Sequence, residues 1–162
     1  MLSRNPRNPL RAALTVLAVA TLIGCSGGAA RHGADSGAAP GAPVGVHVEN
    51  AWLRPVEPGQ TTAGYFTLVN DSEDSLTLVG VEIPAAEMSM MHETVKDSAG
   101  AMRMQEVGQF VVAPRGRLEF TPGGNHVMAM QAYLTLAEGD TTGLFLHFAD
   151  GRRMHVTANV QP

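Results

Sequence analysis

From Val46 to Val160 the chain alternates between short apolar or β-branched runs and pieces rich in Gly, Pro, Asn, Asp and Ser. The runs are VHVENAWL, GYFTLVN, LTLVGVEI, MSMMHETV, MRMQEV, FVVA, RLEFT, HVMAMQAYLTL, LFLHFA and MHVTANV. Between them lie EPGQ, NDSEDS, KDSAG, APRG, PGGN, AEGD and ADGR. Runs of this length bounded by turn formers read as strands. Their spacing predicts an all-β domain, an antiparallel sandwich or barrel of about seven to nine strands, with some runs merging or failing to pair. The segment opening at Pro84 suits one helical turn with proline at its first position, but the alternation of Met88 and Met90 suits an extended run as well. Trp52, inside AWLRP, is expected in the core.

The first 43 residues break this pattern. Arg4, Arg7 and Arg11 precede an apolar run from Ala12 to Ile23, too short and too near the N-terminus for an ordinary membrane span, so residues 1–24 are expected to be an export signal. The signal ends in LIGC, which resembles the bacterial lipobox; that resemblance implies that Cys25 becomes a lipidated N-terminus and a membrane anchor. A buried thiol or a disulfide partner is the other reading of Cys25. Residues 25–43 continue as SGGAARHGADSGAAPGAP behind the cysteine, a Gly, Ala and Pro-rich tether that cannot bury enough surface to order itself. Residues 44–162 then form one compact domain.

Charge and cysteine usage narrow the function. Losing residues 1–24 leaves eight basic against 15 acidic side chains, a formal charge of −7, which offers no basic patch for nucleic acid. Cys25 is the one cysteine. The domain beyond the tether therefore has neither thiol nor disulfide, which suits an oxidising, extracytoplasmic compartment, and any metal must be held by other ligands.

Methionine and histidine supply the candidates. Besides Met1 the methionines are Met88, Met90, Met91, Met102, Met104, Met128, Met130 and Met154, and seven of these eight lie in three short windows. Strand side chains alternate, so His126, Met128 and Met130 share a face, as do Met102 with Met104, and Met88 with Met90 and His92. Methionine alone is explained by core packing. The flanking histidines add a second reading, because a buried imidazole needs partners for its ring nitrogens. Thioethers are poor ligands for Mg, Ca or Mn, whereas imidazole with thioether suits Cu(I). Neutral donors also leave the ion's charge uncompensated, which penalises Cu(II) relative to Cu(I) where water is excluded. A blue-copper centre is disfavoured because it needs a cysteine thiolate.

His92, eleven intervening residues, Met104, twenty-one intervening residues, then His126-Val-Met128 resembles the signature of the periplasmic copper chaperones of the PCu(A)C family. The family's usual first gap is ten residues, and the extra residue here falls in the KDSAG turn. Met104, which keeps the second gap, is chosen over Met102. The similarity runs from AWLRP and TTAGYFTLVN through MHETV and MRMQEV to PGGNHVMAM and LAEGD. It implies a cupredoxin-like Greek-key β-barrel or sandwich and one Cu(I) bound by His92, Met104, His126 and Met128. It further implies delivery of copper to the binuclear centre of cytochrome c oxidase, with the oxidase's copper-bearing subunit or its thioredoxin-fold assembly factor as partner. Membrane contact would be made through the N-terminal lipid.

Around that set, Met90 and Met130 are candidates for supporting the ligands rather than binding the metal. Glu93 and Glu106 could orient an imidazole, and Gly123 with Gly124 would permit the turn that presents His126. His47, His147 and His155 read as surface or hydrogen-bonded strand histidines, and His32 as a weak auxiliary contact in the tether. No Gly-x-Ser-x-Gly, His-Glu-x-x-His or Walker motif is present, so no enzyme is expected. The alternatives are a metal-free lipoprotein interaction domain with a Met-rich core and a copper-dependent redox enzyme with an open coordination position.

Overall fold

The computed structural model describes residues 41–162. The expectations for the signal segment, for Cys25, for His32 and for nearly all of the tether lie outside these residues. The ordered elements are β1 (Val46–Leu53), β2 (Thr62–Asn70), β3 (Leu76–Glu82), β4 (Ala86–Lys96), β5 (Met102–Glu106), β6 (Phe110–Val112), β7 (Gly116–Phe120), β8 (His126–Ala132), β9 (Thr141–Phe148) and β10 (Arg153–Val160). The described residues are thus all-β, as expected, but with ten strands rather than seven to nine. Every apolar run pairs; even the three-residue β6 finds a partner in β3. The stretch after Pro84 is extended rather than helical, with Met88 to Met91 inside β4.

The strands follow the order β5-β4-β8-β2-β1-β10-β9-β3-β6, and β7 joins through β2. The β1–β10 pair is parallel and the other pairs are antiparallel. β2 divides its second edge between two partners: Phe66 to Asn70 pair with β7, and Thr62 to Gly64 pair with β8. That division carries β8, β4 and β5 away as a separate wing, with β5 as its free edge. The two ends of the ladder, β5 and β6, do not pair with each other.

The core packs on the inward face. Phe66 and Phe120 stack with ring centroids 4.3 Å apart, among fully buried Leu53, Leu68, Leu78, Ile83, Leu144 and Leu146. On β4 and β8, Met91, Val127 and Ala129 point inward, so the alternate positions from Met88 to His92 and from His126 to Met130 face outward; beyond that stretch, past Gln131 at φ 56°, Ala132 is again in the core and Ala86 packs against it.

β1 corrects one sequence expectation. Val46 and Val48 pack against the core, but so do Ala51 and Leu53, which have the opposite parity. A register shift between Glu49 and Trp52 inserts one residue, and Asn50 takes φ 52° there, a left-handed conformation that Asn tolerates better than most residues. The bulge turns Trp52 outward, half-buried rather than in the core. It packs on its cross-strand neighbour Tyr65, with ring centroids 4.4 Å apart.

Candidate metal centre

The outward face of β4 and β8 is a ladder of histidine and methionine. Register places Met88 opposite Met130, Met90 opposite Met128 and His92 opposite His126. On the other side of β4, Met104 stands opposite Thr94, and Glu106 opposite His92. Directly opposed side chains have Cβ atoms about 4.5–5.5 Å apart. Residues from three separate stretches of sequence, Met88 to Thr94, Met104 to Glu106 and His126 to Met130, therefore meet across three adjacent strands.

One turn positions His126. In Thr121-Pro122-Gly123-Gly124 the Gly124 N–H donates to the Thr121 carbonyl at 2.9 Å, and Gly123 has φ 81°. Proline second and glycine third is the composition of a type II turn, which needs positive φ at its third residue. The Gly124 carbonyl then lies 3.0 Å from Nδ1 of His126. A carbonyl can only accept, so Nδ1 carries the proton and Nε2 is left with its lone pair, the tautomer a metal ligand requires. His126 is buried, at 7% exposure.

His92 faces it, with imidazole centroids 5.7 Å apart. An ion about 2 Å from one nitrogen of each ring would set the centroids roughly 5 to 6 Å apart. The Nδ1 of His92 is buried and has no hydrogen-bond partner. Such an orphaned polar atom costs on the order of 1–3 kcal/mol, and coordination would satisfy it. This observation fits a metal between the two rings.

Met104, His126 and Met128 line a cavity of about 460 Å³, together with Arg54, Thr62 and Tyr65. Met102, one step further along β5 and opposite Lys96, does not line it. Met104 is 64% exposed, so the candidate set runs from a buried imidazole to a thioether at the surface. The donors are soft. Among the described residues no three His, Cys, Asp or Glu side chains gather as a metal-binding group.

The methionines divide cleanly. Met91 and Met154 belong to the core, whereas Met88, Met102 and Met104 are exposed, and Met90, Met128 and Met130 are half-buried outside the core. A Met-rich core is therefore not what the chain builds. Glu93 is also not placed to orient an imidazole: it sits at the opposite parity from His92 and accepts a hydrogen bond from Gln105. His47 lies between Glu49 and Asp71, at 3.3 and 3.4 Å, and His147 lies 3.3 Å from Glu82. His155 packs against Phe145. None of these three joins the ladder. Arg54, Thr62 and Tyr65 were not singled out from sequence; the AWLRP and TTAGYFTLVN runs contain them, but only the pairing of β2 with β8 brings them to the cavity.

The profile of the family described as "Putative lipoprotein LpqE-like" matches residues 46–160. The solution structure of CuI-DR1885 from Deinococcus radiodurans is 31% identical, with 79% of this chain and 85% of that one covered and a TM-score of 0.54. The copper-bound PCuAC domain from PmoF2 is 22% identical, covers 74% of this chain and 95% of that one, and has a TM-score of 0.60. RP573, an uncharacterized protein of Rickettsia prowazekii (strain Madrid E), is 28% identical over 124 residues, which are 74% of this chain and 68% of that protein. These likenesses agree with the all-β class expected from the strand pattern and with the cupredoxin-like fold that the family resemblance implied. The profile spans most of the chain and every strand that builds the ladder, and the chain accordingly belongs to the LpqE-like family, as a domain of the PCuAC type.

Proposed function

We propose that this domain is an extracytoplasmic copper chaperone that carries one Cu(I) on His92, Met104, His126 and Met128. The observation that carries the proposal is the outward ladder: two opposed imidazoles, one with an orphaned buried nitrogen, flanked by thioethers on a surface that has no core to fill. The existence of a CuI form of DR1885 and a copper-bound form of the PmoF2 PCuAC domain supports the same cargo. Neutral nitrogen and sulfur donors favour the monovalent ion, and their lack of thiolates suits an oxidising compartment.

Transfer follows from the graded exposure. His126 anchors the ion from a buried position, while Met104 lies on a free-edge strand at the surface. A recipient's donor can replace Met104 first, with the cavity leaving room beside the ion, and take the remaining bonds one at a time. Copper stays Cu(I) throughout, so the exchange needs no electron. Nothing in this role calls for catalysis.

The recipient proposed is the copper-bearing subunit of cytochrome c oxidase or its thioredoxin-fold assembly factor, reached from a membrane on which Cys25 holds the domain by a lipid. Anaerobic mixing of the Cu(I)-loaded protein with each soluble recipient domain, followed by separation and metal analysis, tests it. Copper recovered on either recipient supports delivery. Copper retained on the donor against both sinks the oxidase assignment and leaves Cu(I) binding intact.

A further inference from the structure

The ladder does not end at the four proposed ligands. Beyond Met128, Met130 stands opposite Met88, and Met90 is diagonal to Met130 on the same face. None of Met88, Met90 and Met130 belongs to the core or packs against it, and Met88 is 46% exposed. The same two strands bury Met91, Val127 and Ala129 inward, so the apolar requirement of this wing is met without them. On the solvated face of an antiparallel pair, polar side chains are the ordinary choice; three thioethers there need another explanation.

We propose that Met88, Met90 and Met130 form a second soft-metal site, a three-thioether landing place for Cu(I) that adjoins the first site through Met128. Opposed and diagonal positions on neighbouring strands are within reach of long side chains, and a sulfur-bound ion sits roughly 2.3 Å from each donor. Successive rungs on one face are about 7 Å apart. The Met90–Met128 rung therefore lies between the Met88–Met130 rung and the histidine rung, and the Met128 thioether can accept the ion from one side and share it with His126 on the other. The step is ligand exchange at constant oxidation state: the Met128 sulfur–copper bond, and then the imidazole nitrogen–copper bonds, form as the bonds to the Met88, Met90 and Met130 sulfurs break. Without imidazole this site binds more weakly than the first, which sets the direction of travel toward His92 and His126. The inference takes the identity of its cargo from the copper reading above, but its three ligands are separate residues, and Met128 serves only as the bridge between the sites.

The test uses the full chain in mild detergent with Cys25→Ser, so that no thiol competes, and methionines labelled with carbon-13 at the methyl group. Anaerobic Ag(I), a redox-inert stand-in for Cu(I), is added in steps. The expected result is that the first equivalent shifts the Met104 and Met128 methyls and the second shifts those of Met88, Met90 and Met130. In a Met88→Leu, Met130→Leu variant, which preserves volume, the second equivalent is lost and the first is kept. Shifts confined to Met104 and Met128 through two equivalents overturn the second site and leave the first standing. Shifts confined to Met88, Met90 and Met130 support it and count against the four-ligand centre. No methyl shift in a protein with a dispersed amide spectrum overturns both.

Discussion

At the scale of single residues, the centre depends on two backbone details more than on any bulky side chain. Gly123 at φ 81° closes the turn behind Thr121, and the Gly124 carbonyl fixes the tautomer of His126. An alanine at Gly123 meets no neighbouring atom, so its cost is conformational alone. Gly123→Ala should lower stability by about 1–2 kcal/mol, read as an earlier midpoint in urea unfolding with unchanged slope. An unchanged midpoint would contradict the turn assignment.

At the scale of elements, the β4–β5 hairpin decides where Met104 lies. Its turn is organised by Asp97, whose carboxylate accepts from the N–H groups of Ala99 and Ala101, each at 2.9 Å, and from Arg103 at 2.8 Å. The Arg103 guanidinium, followed by the Ala101 amide, holds the Asp97 carboxyl below the usual aspartate range. A depressed native value means that the turn's stabilisation is complete above roughly pH 4 and is lost as pH falls through that native value. Carboxyl carbon NMR should find Asp97 titrating below ordinary aspartates; titration in the ordinary range would contradict the turn. Asp97→Asn, which loses the charge facing Arg103, should speed amide exchange at Ala99 and Ala101 and weaken metal binding through Met104.

This hairpin also shows what local pattern can and cannot reveal. Turn formers bound every apolar run, so all ten runs were legible although only seven to nine were expected to pair as strands, and alternation alone placed His92 with Met90 and Met88, and His126 with Met128 and Met130, on common faces. Period two says nothing about which strands are neighbours. The opposition of His92 and His126 depends on β2 dividing its edge between β7 and β8, which no window of sequence encodes. Trp52 was misplaced for a related reason. The extra residue at Asn50 inverts parity within VHVENAWL, and only the pairing with β2 exposes it.

At the scale of the whole molecule, stability and metal binding are assigned to opposite faces of the same sheet. Core residues such as Phe66 lie inward and the ladder lies outward, with Tyr65 lining the cavity on the outward side and Trp52 packed on Tyr65. Phe66→Ala should therefore cost about 3–5 kcal/mol, and Trp52→Ala a smaller amount within the ordinary range of about 0.5–3 kcal/mol, both by denaturant unfolding. Equal losses would contradict the outward placement of Trp52. The same separation explains how a site can be assembled from apolar thioethers without weakening the fold that carries it.

The central claim is that the outward ladder binds Cu(I), and an anaerobic competition titration against a chromophoric chelator tests it most directly. The samples are the full chain with Cys25→Ser and the same chain with His126→Ala and Met128→Ala. The account predicts a tightly bound first equivalent in the former and its loss in the latter, with both proteins equally folded by circular dichroism. A folded parent that leaves all copper on the chelator would contradict the account.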